Sequence, residues 1–339
     1  MSNRRNGRAY PLNRSCPSPG ERALTLLVCE LALGVIVFSQ EGIIELKIHW
    51  IVLPIGLLAQ YVDGSLGMGY GASSASFLLA AGMAPAAMSA SIHLAEIFST
   101  LASGVSHITL GNVERRIILP LSLSGVVGGI FGAYCLSSVD GKLFKPYIAL
   151  LLLFLGAKIV WTFARRKATV RARRPLRKGL LIPLGLVGGA VDAIGGGGWG
   201  PICTPALAMN TDEPRLAVGS VDTAEFLTTV AITATFAIKL GVGSFVWSIT
   251  LPLLIGGLIA APIAAYTCRR IAPESLGVLI GIMLILLNLK NATSGLISRL
   301  GWNLPFKTDS VFVFVALCVV MAAILVRSLL AARKNEEKK

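Results

Sequence analysis

Charge is what this sequence has least of. Only 14% of its 339 residues are Asp, Glu, Lys or Arg, 54% are apolar and the mean hydropathy is +0.74, whereas roughly one quarter of a soluble domain is charged. An ordinary water-soluble domain is excluded. Apolar runs near the roughly 20 residues needed to cross a bilayer recur along the chain, so a polytopic membrane class rests on no single segment. Cysteine and histidine are scarce too. The six cysteines, at positions 16, 29, 135, 203, 268 and 318, form no Cys-x-x-Cys pair and fall mostly in apolar segments; they read as small buried hydrophobes. The three histidines make no His-Glu-x-x-His pair, so neither a metal site nor a cofactor is expected. Glycine clusters that lack a Gly-Lys-Ser/Thr ending and a βαβ setting are not nucleotide loops. The net charge of +14 would suggest nucleic acid in a soluble protein. Here the basic residues collect in loops and tails, and no nucleic-acid partner is expected.

What is present is a duplication. Residues 185 to 200, Gly-Leu-Val-Gly-Gly-Ala-Val-Asp-Ala-Ile-Gly-Gly-Gly-Gly-Trp-Gly, answer residues 56 to 71, Gly-Leu-Leu-Ala-Gln-Tyr-Val-Asp-Gly-Ser-Leu-Gly-Met-Gly-Tyr-Gly, at an offset of 129 without a gap. The register continues: Asp63, Gly67, Gly69, Gly71, Pro85, Ser91, Ala95, Glu96 and Thr100 recur as Asp192, Gly196, Gly198, Gly200, Pro214, Ser220, Ala224, Glu225 and Thr229.

Each copy divides in the same way. Apolar stretches at 48–62 and 66–81, separated by Asp63-Gly64-Ser65, are each too short for the roughly 30 Å hydrocarbon core. They predict a glycine-broken helical hairpin or two short tilted spans. Longer spans follow near 85–108, 113–137 and 141–164. The second copy repeats the order with a broken pair at 179–193 and 195–209 and spans near 213–238, 243–267 and 273–295. The expected organisation is a disordered basic tail (1–22), an accessory span (23–41), repeat 1 (48–164), a basic linker (165–178), repeat 2 (179–295), a second accessory span (310–329) and a tail (330–339). The first apolar run reads as an uncleaved span because Gln40 and Glu41, rather than a small-residue cleavage site, follow it.

Orientation follows from the positive-inside rule. Placing the linker in the cytoplasm puts 23 of the 31 Lys and Arg residues, including both tails, on that side, six outside and two, Lys158 and Lys290, within spans. A hairpin that returns plus three crossings makes the two copies run in opposite directions. The fold class expected is an all-α polytopic membrane protein of two inverted repeats, the plan of secondary transporters.

The candidate chemistry lies at the breaks and in the span after each. Glycine at this density weakens a helix and needs a reason. One reason is to present the N-termini of the following half-helices to an anion; the other is close packing through small residues. Gly64, Ser65, Gly67 and Gly69 in the first copy, and Gly195, Gly196, Gly197 and Gly198 in the second, are the candidate anion ligands. Ser73, Ser74, Ser91, Thr204 and Ser220 offer hydroxyls, and Trp199 is either a gate or a packing residue. Asp63 and Asp192 either cap the half-helices, which would compete with an anionic ligand, or take part in proton coupling. Glu96 and Glu225 fall near mid-bilayer, where a carboxylate costs at least ~2.5 kcal/mol and so faces a cavity, pairs or carries protons. A protonated Glu beside an anion attracts it; an ionised one repels it. His93 supplies a positive charge near the midplane or is a satisfied interior imidazole.

An Asp before a glycine-rich break, a Pro some twenty residues on, and a Ser and Glu in the next span resemble the sulfite-exporter TauE/SafE family of membrane transporters. Val191 through Pro201, with Pro214 and Gly219, carry the resemblance, as do the residues from Val62 through Pro85. It spans roughly 48–295. It implies transport of sulfur-containing anions, namely sulfite, thiosulfate or organosulfonates such as sulfoacetate. The first copy has Ser65, Leu66 and Met68 where the second has Ile194, Gly195 and Gly197, so the halves need not contribute equally.

The reading is a transporter in the cell (inner) membrane, with the lipid bilayer and a small anion as its partners and the oligomeric state left open. An anion channel using the same breaks is the alternative. An intramembrane enzyme would need a nucleophile with an oriented base, and Ser65 with His93 lacks the third group.

Overall fold

The computed structural model describes residues 50, 52–139, 141–164, 178–208, 213–268, 278, 280–289 and 292. The basic tails, the linker over 165–177 and both accessory spans lie outside the described residues, as do the ends of the span expected at 273–295. Every regular element among the described residues is helical. The helices are α1 (Val52–Leu66), α2 (Tyr70–Ala80), α3 (Pro85–Thr109), α4 (Arg115–Ser137), α5 (Gly141–Ala164), α6 (Lys178–Gly195), α7 (Trp199–Ala208), α8 (Pro214–Leu240), α9 (Trp247–Thr267) and α10 (Ile280–Leu289). Of these, α4, α8, α9 and residues Leu143–Phe163 of α5 are long and apolar enough to cross a membrane.

The long helices are apolar on the outside and small or polar within. On α4, Leu119, Leu123, Val127, Phe131 and Tyr134 are exposed, a stripe at helical spacing. Gly125, Gly128, Gly129 and Gly132 face the opposite way, against α6 and α8. A Cβ on Gly128 or Gly189 would collide with the carbonyl of Leu186 or Gly125. Glycines spaced four apart on both α4 and α6 thus let the two backbones touch, as small-residue faces do in membrane bundles. Gly56 and Gly256 bring α1 against α9 in the same manner.

Packing partners are exchanged between the copies. The largest helix contacts join α4 to α6, α1 to α9, α4 to α8, α3 to α9 and α3 to α8. Under the offset of 129, α1 corresponds to α6, α3 to α8 and α4 to α9, so the first four contacts form two equivalent pairs and the fifth is its own equivalent. The copies are therefore one interdigitated body rather than two adjacent domains. Equivalent serines fasten it: Ser91 on α3 accepts from Val246 N at 2.9 Å, where α9 begins, and Ser220 on α8 accepts from Glu114 N at 2.7 Å, where α4 begins.

A local defect in α7 is repaired from outside. Pro205 has no N–H for the Pro201 carbonyl one turn earlier; Lys158 of α5, half-buried, donates Nζ to that carbonyl at 3.2 Å.

Candidate functional site

The breaks fall inside the glycine-rich stretches 64–71 and 193–200 but later than the Asp63-Gly64-Ser65 division suggests. Helix α1 continues through Asp63, Gly64 and Ser65 to Leu66, and α6 through Ala193 and Ile194 to Gly195, so the non-helical residues are 67–69 and 196–198. The aspartates belong to the last turn of the first half-helix instead of the break. The cause is backbone sign. Gly67 and Gly196 have φ of 70° and 69°, Gly69 and Gly197 of 133° and 157°, whereas Gly64 and Gly195 are helical and their turns close onto the Asp63 and Asp192 carbonyls through Gly67 N (2.5 Å) and Gly197 N (3.1 Å).

The two breaks cross each other in backbone contact. A Cβ on Gly71 would sit 2.7 Å from the Gly196 carbonyl and the Gly197 Cα and 2.8 Å from Glu96 Oε1. One on Gly197 would overlap the Gly71–Ala72 peptide, and one on Gly200 would lie 2.6 Å from the Gly67 carbonyl. Thr204 donates its hydroxyl to that same carbonyl. Close approach, more than loop freedom, explains the glycine density.

Each aspartate reaches forward to the half-helix after the break. Asp192 Oδ1 accepts from Gly198 N at 2.7 Å and Trp199 N at 3.1 Å; Asp63 Oδ1 accepts from Tyr70 N at a long 3.4 Å. A carboxylate at a helix N-terminus is what the helix dipole favours. The N–H groups expected to meet an anionic ligand thus meet the chain's own carboxylates, firmly at α7 and weakly at α2.

Around these caps stand two clusters. His93, Glu96 and Asp192 place one nitrogen and two carboxylate oxygens within 4.8 Å of one another, and Asp63, Asp222 and Glu225 do the same with three carboxylates. Under the offset, His93, Glu96 and Asp192 correspond to Asp222, Glu225 and Asp63. Each cluster therefore takes two residues from the long helix of one copy and the capping aspartate of the other. Glu96 and Glu225 are each the twelfth residue of α3 and α8, and all six side chains are buried.

The bonding within the clusters differs. His93 Nδ1 lies 2.7 Å from the Ser89 carbonyl, and Nε2 lies 3.2 Å from Asp192 Oδ2 and 3.8 Å from Glu96 Oε2. Ser89 in turn donates to the Ala193 carbonyl at 2.7 Å, fastening α3 to the end of α6. In the second cluster Ser103 donates to Asp222 Oδ2, and His107 Nε2 stands 3.5 Å from that oxygen while donating to the Gly64 carbonyl at 3.0 Å. Lone pairs that a cation would need are in part already engaged by N–H and O–H groups, so the clusters suit protons better than a metal.

The other expected ligands separate into groups. Ser73 and Ser74 are buried on α2, and Ser74 Oγ has no partner. Glu96 Oε2 and Asp222 Oδ1 also lack a hydrogen bond, and buried polar atoms without partners point to water or a ligand. Ser91 and Ser220 are not brought to the breaks by their hydroxyls, which hold the starts of α9 and α4. Trp199 is fully buried, donates Nε1 to the Val221 carbonyl at 3.0 Å and lies against Gly125 and Gly188, as a packing residue does. His93 bonds to Ser89 and Asp192, not to Ser65, so the nucleophile–base pair is absent.

Sequence reading overlooked Ser89, Ser103, His107 and Asn112. The signal was there. Ser89, His93, Glu96, Thr100, Ser103 and His107 alternate at spacings of four and three, one continuous polar stripe on α3.

These arrangements lie within the region matched by the family model described as Sulfite exporter TauE/SafE, residues 52–291. The chain belongs to the sulfite exporter TauE/SafE family. It is 47% identical over 237 residues to the Probable membrane transporter protein YtnM of Bacillus subtilis (strain 168), covering 69% of this chain and 79% of that protein. No solved structure matches the chain. The protein is accordingly a membrane transporter, and the TauE/SafE match takes in both breaks and both buried clusters.

Proposed function

We propose that this TauE/SafE protein is a secondary transporter that moves sulfite, thiosulfate or an organosulfonate such as sulfoacetate across the cell (inner) membrane by alternating access. The observation that carries the reading is the crossing of the two breaks, each opening a half-helix and each beside a buried cluster of titratable groups. The exchange of packing partners between copies supports two inverted repeats over 48–164 and 179–295, and the distribution of Lys and Arg supports cytoplasmic termini.

Substrate oxygens compete with Asp192 and Asp63 for the half-helix N–H groups. A carboxylate that gains a proton is a poorer acceptor, so it releases those donors and removes a like charge at once. Proton entry at Asp63, Glu96, Asp192 and Glu225 therefore favours anion entry, and proton loss favours its expulsion. The remaining ligands are drawn from Ser65, Ser73 and Ser74, whereas Thr204 gives its hydroxyl hydrogen to the Gly67 carbonyl.

Uptake of labelled sulfite and sulfoacetate into liposomes, with and without a pH gradient, tests this reading with wild type, Glu96→Gln and Glu225→Gln. Saturable, gradient-driven uptake weakened in either variant is expected. Flux set only by voltage and indifferent to the pH gradient would make the protein a channel. No saturable uptake of either anion would remove sulfite and sulfoacetate as substrates.

A further inference from the structure

The two clusters occupy equivalent places but cannot handle protons alike. In the first, the hydrogen at His93 Nδ1 is fixed by its 2.7 Å contact with the Ser89 carbonyl, an acceptor with no hydrogen to give. A neutral imidazole protonated there turns a bare Nε2 lone pair toward Asp192 Oδ2 at 3.2 Å and Glu96 Oε2 at 3.8 Å. Three acceptors facing one another repel. One added proton between Nε2 and Asp192 Oδ2 turns that repulsion into a hydrogen bond. Asp192 Oδ1 is meanwhile occupied by Gly198 N and Trp199 N, and Glu96 Oε2 has no hydrogen-bond partner.

The second cluster has no such vacancy for a proton on imidazole. Asn112 Oδ1 accepts from Arg215, so its amide nitrogen is turned toward His107 Nδ1 at 3.2 Å and the Ala265 carbonyl at 3.2 Å. His107 Nδ1 is therefore an acceptor and Nε2 the donor, to the Gly64 carbonyl. At the place of His93 stands Asp222, and at the place of His107 stands Phe236, whose ring lies 6.4 Å from the His93 ring.

We propose that His93 and Asp192 together hold the coupling proton of the transport cycle, as a bond from Nε2 to Oδ2 that latches α3 to the glycine-rich break opening α7. The proton arrives from water on one side and leaves to water on the other, with no other group changed. The shared proton draws charge from Asp192 and weakens its hold on Gly198 N and Trp199 N, which favours anion entry; loss of the proton breaks the latch and restores the full cap. Charged and titratable groups around His93 are Glu96 on its own helix and Asp192 on α6; beyond them Tyr70, Asp63, Asp222 and Glu225, from α2, α1 and α8, interact with Glu96. The side facing Phe236 is uncharged.

This inference rests on the transport reading for its role in coupling, while the proton itself is observable without transport. In liposomes one coupled proton supports about tenfold accumulation per pH unit. His93→Gln is expected to bring gradient-driven accumulation to about onefold, with exchange at equal pH, even if slowed, still measurable. Accumulation by His93→Gln equal to wild type overturns the proposal. The second measurement is the nitrogen-15 spectrum of histidine-labelled wild type in detergent, with the His93 signals assigned by their loss in His93→Gln. Hydrogen at Nδ1 throughout and a second hydrogen at Nε2 that disappears as pH rises is expected. An Nε2 that never carries hydrogen, or a His93 protonated at Nε2 alone, overturns the proposal whatever the transport result. Should wild type move neither anion, the substrate reading falls and the spectrum still decides the proton.

Discussion

Removing the carboxylate of Asp192 will destabilise the protein much more than removing that of Asp63, although the two are repeat equivalents. Asp192 Oδ1 holds two buried backbone N–H groups at 2.7 and 3.1 Å. Hydrogen bonds to a charged acceptor contribute about 1.5–3 kcal/mol each, and a buried donor left without a partner forfeits its desolvation as well. Loss of an ordinary N-cap side chain costs up to about 2 kcal/mol. Asp192→Ala is therefore expected to cost about 3–5 kcal/mol. Asp63 Oδ1 makes one such contact at 3.4 Å, longer than the roughly 2.7–3.2 Å of a good N–H···O bond. It also crowds Asp222 and Glu225, so Asp63→Ala relieves repulsion and is expected to cost about 1 kcal/mol or less. Asp192→Asn keeps a neutral acceptor and belongs between them. Unfolding by titration of a denaturing detergent, followed through Trp fluorescence, ranks the three variants. A loss in Asp63→Ala equal to or above that in Asp192→Ala would refute the capping argument.

Two other substitutions probe the packing. Gly197→Ala sets a methyl group into the Gly71–Ala72 peptide at a φ of 157°, where overpacking alone costs about 1–3 kcal/mol; it should reduce folded protein in the membrane fraction. Gly195→Ala, whose nearest neighbour would be Leu151 Cδ2 at 3.4 Å, should stay within about 1 kcal/mol of wild type. Lys158→Met leaves the Pro201 carbonyl without its donor and should cost about 1–3 kcal/mol. In a Pro205→Ala background the restored N–H takes over that carbonyl, and a denaturation cycle should find the Lys158→Met cost clearly smaller; equal costs in both backgrounds would show that the lysine has another role.

The sequence by itself determined the membrane class, the duplication and the presence of acidic residues inside apolar spans. Apolar runs, an offset of 129 and acidic residues inside apolar spans are one-dimensional signals, and burial of such groups in a bilayer is costly enough to need a purpose. It also contained the polar stripe of α3, whose periodicity is local. Only the tertiary structure decided where the helices stop. A run of glycines permits many breaks, and the choice of residues 67–69 and 196–198 follows from where the two breaks touch. It likewise decided that Ser91 and Ser220 fasten span ends, that Trp199 packs, and that Asp63 and Asp192 leave their own copies to complete the clusters of the other. Apart from the Trp199 bond to Val221, 22 positions on, these depend on contacts between residues about a hundred or more positions apart, and chain entropy lets the sequence alone specify no such meeting until the whole interior is packed.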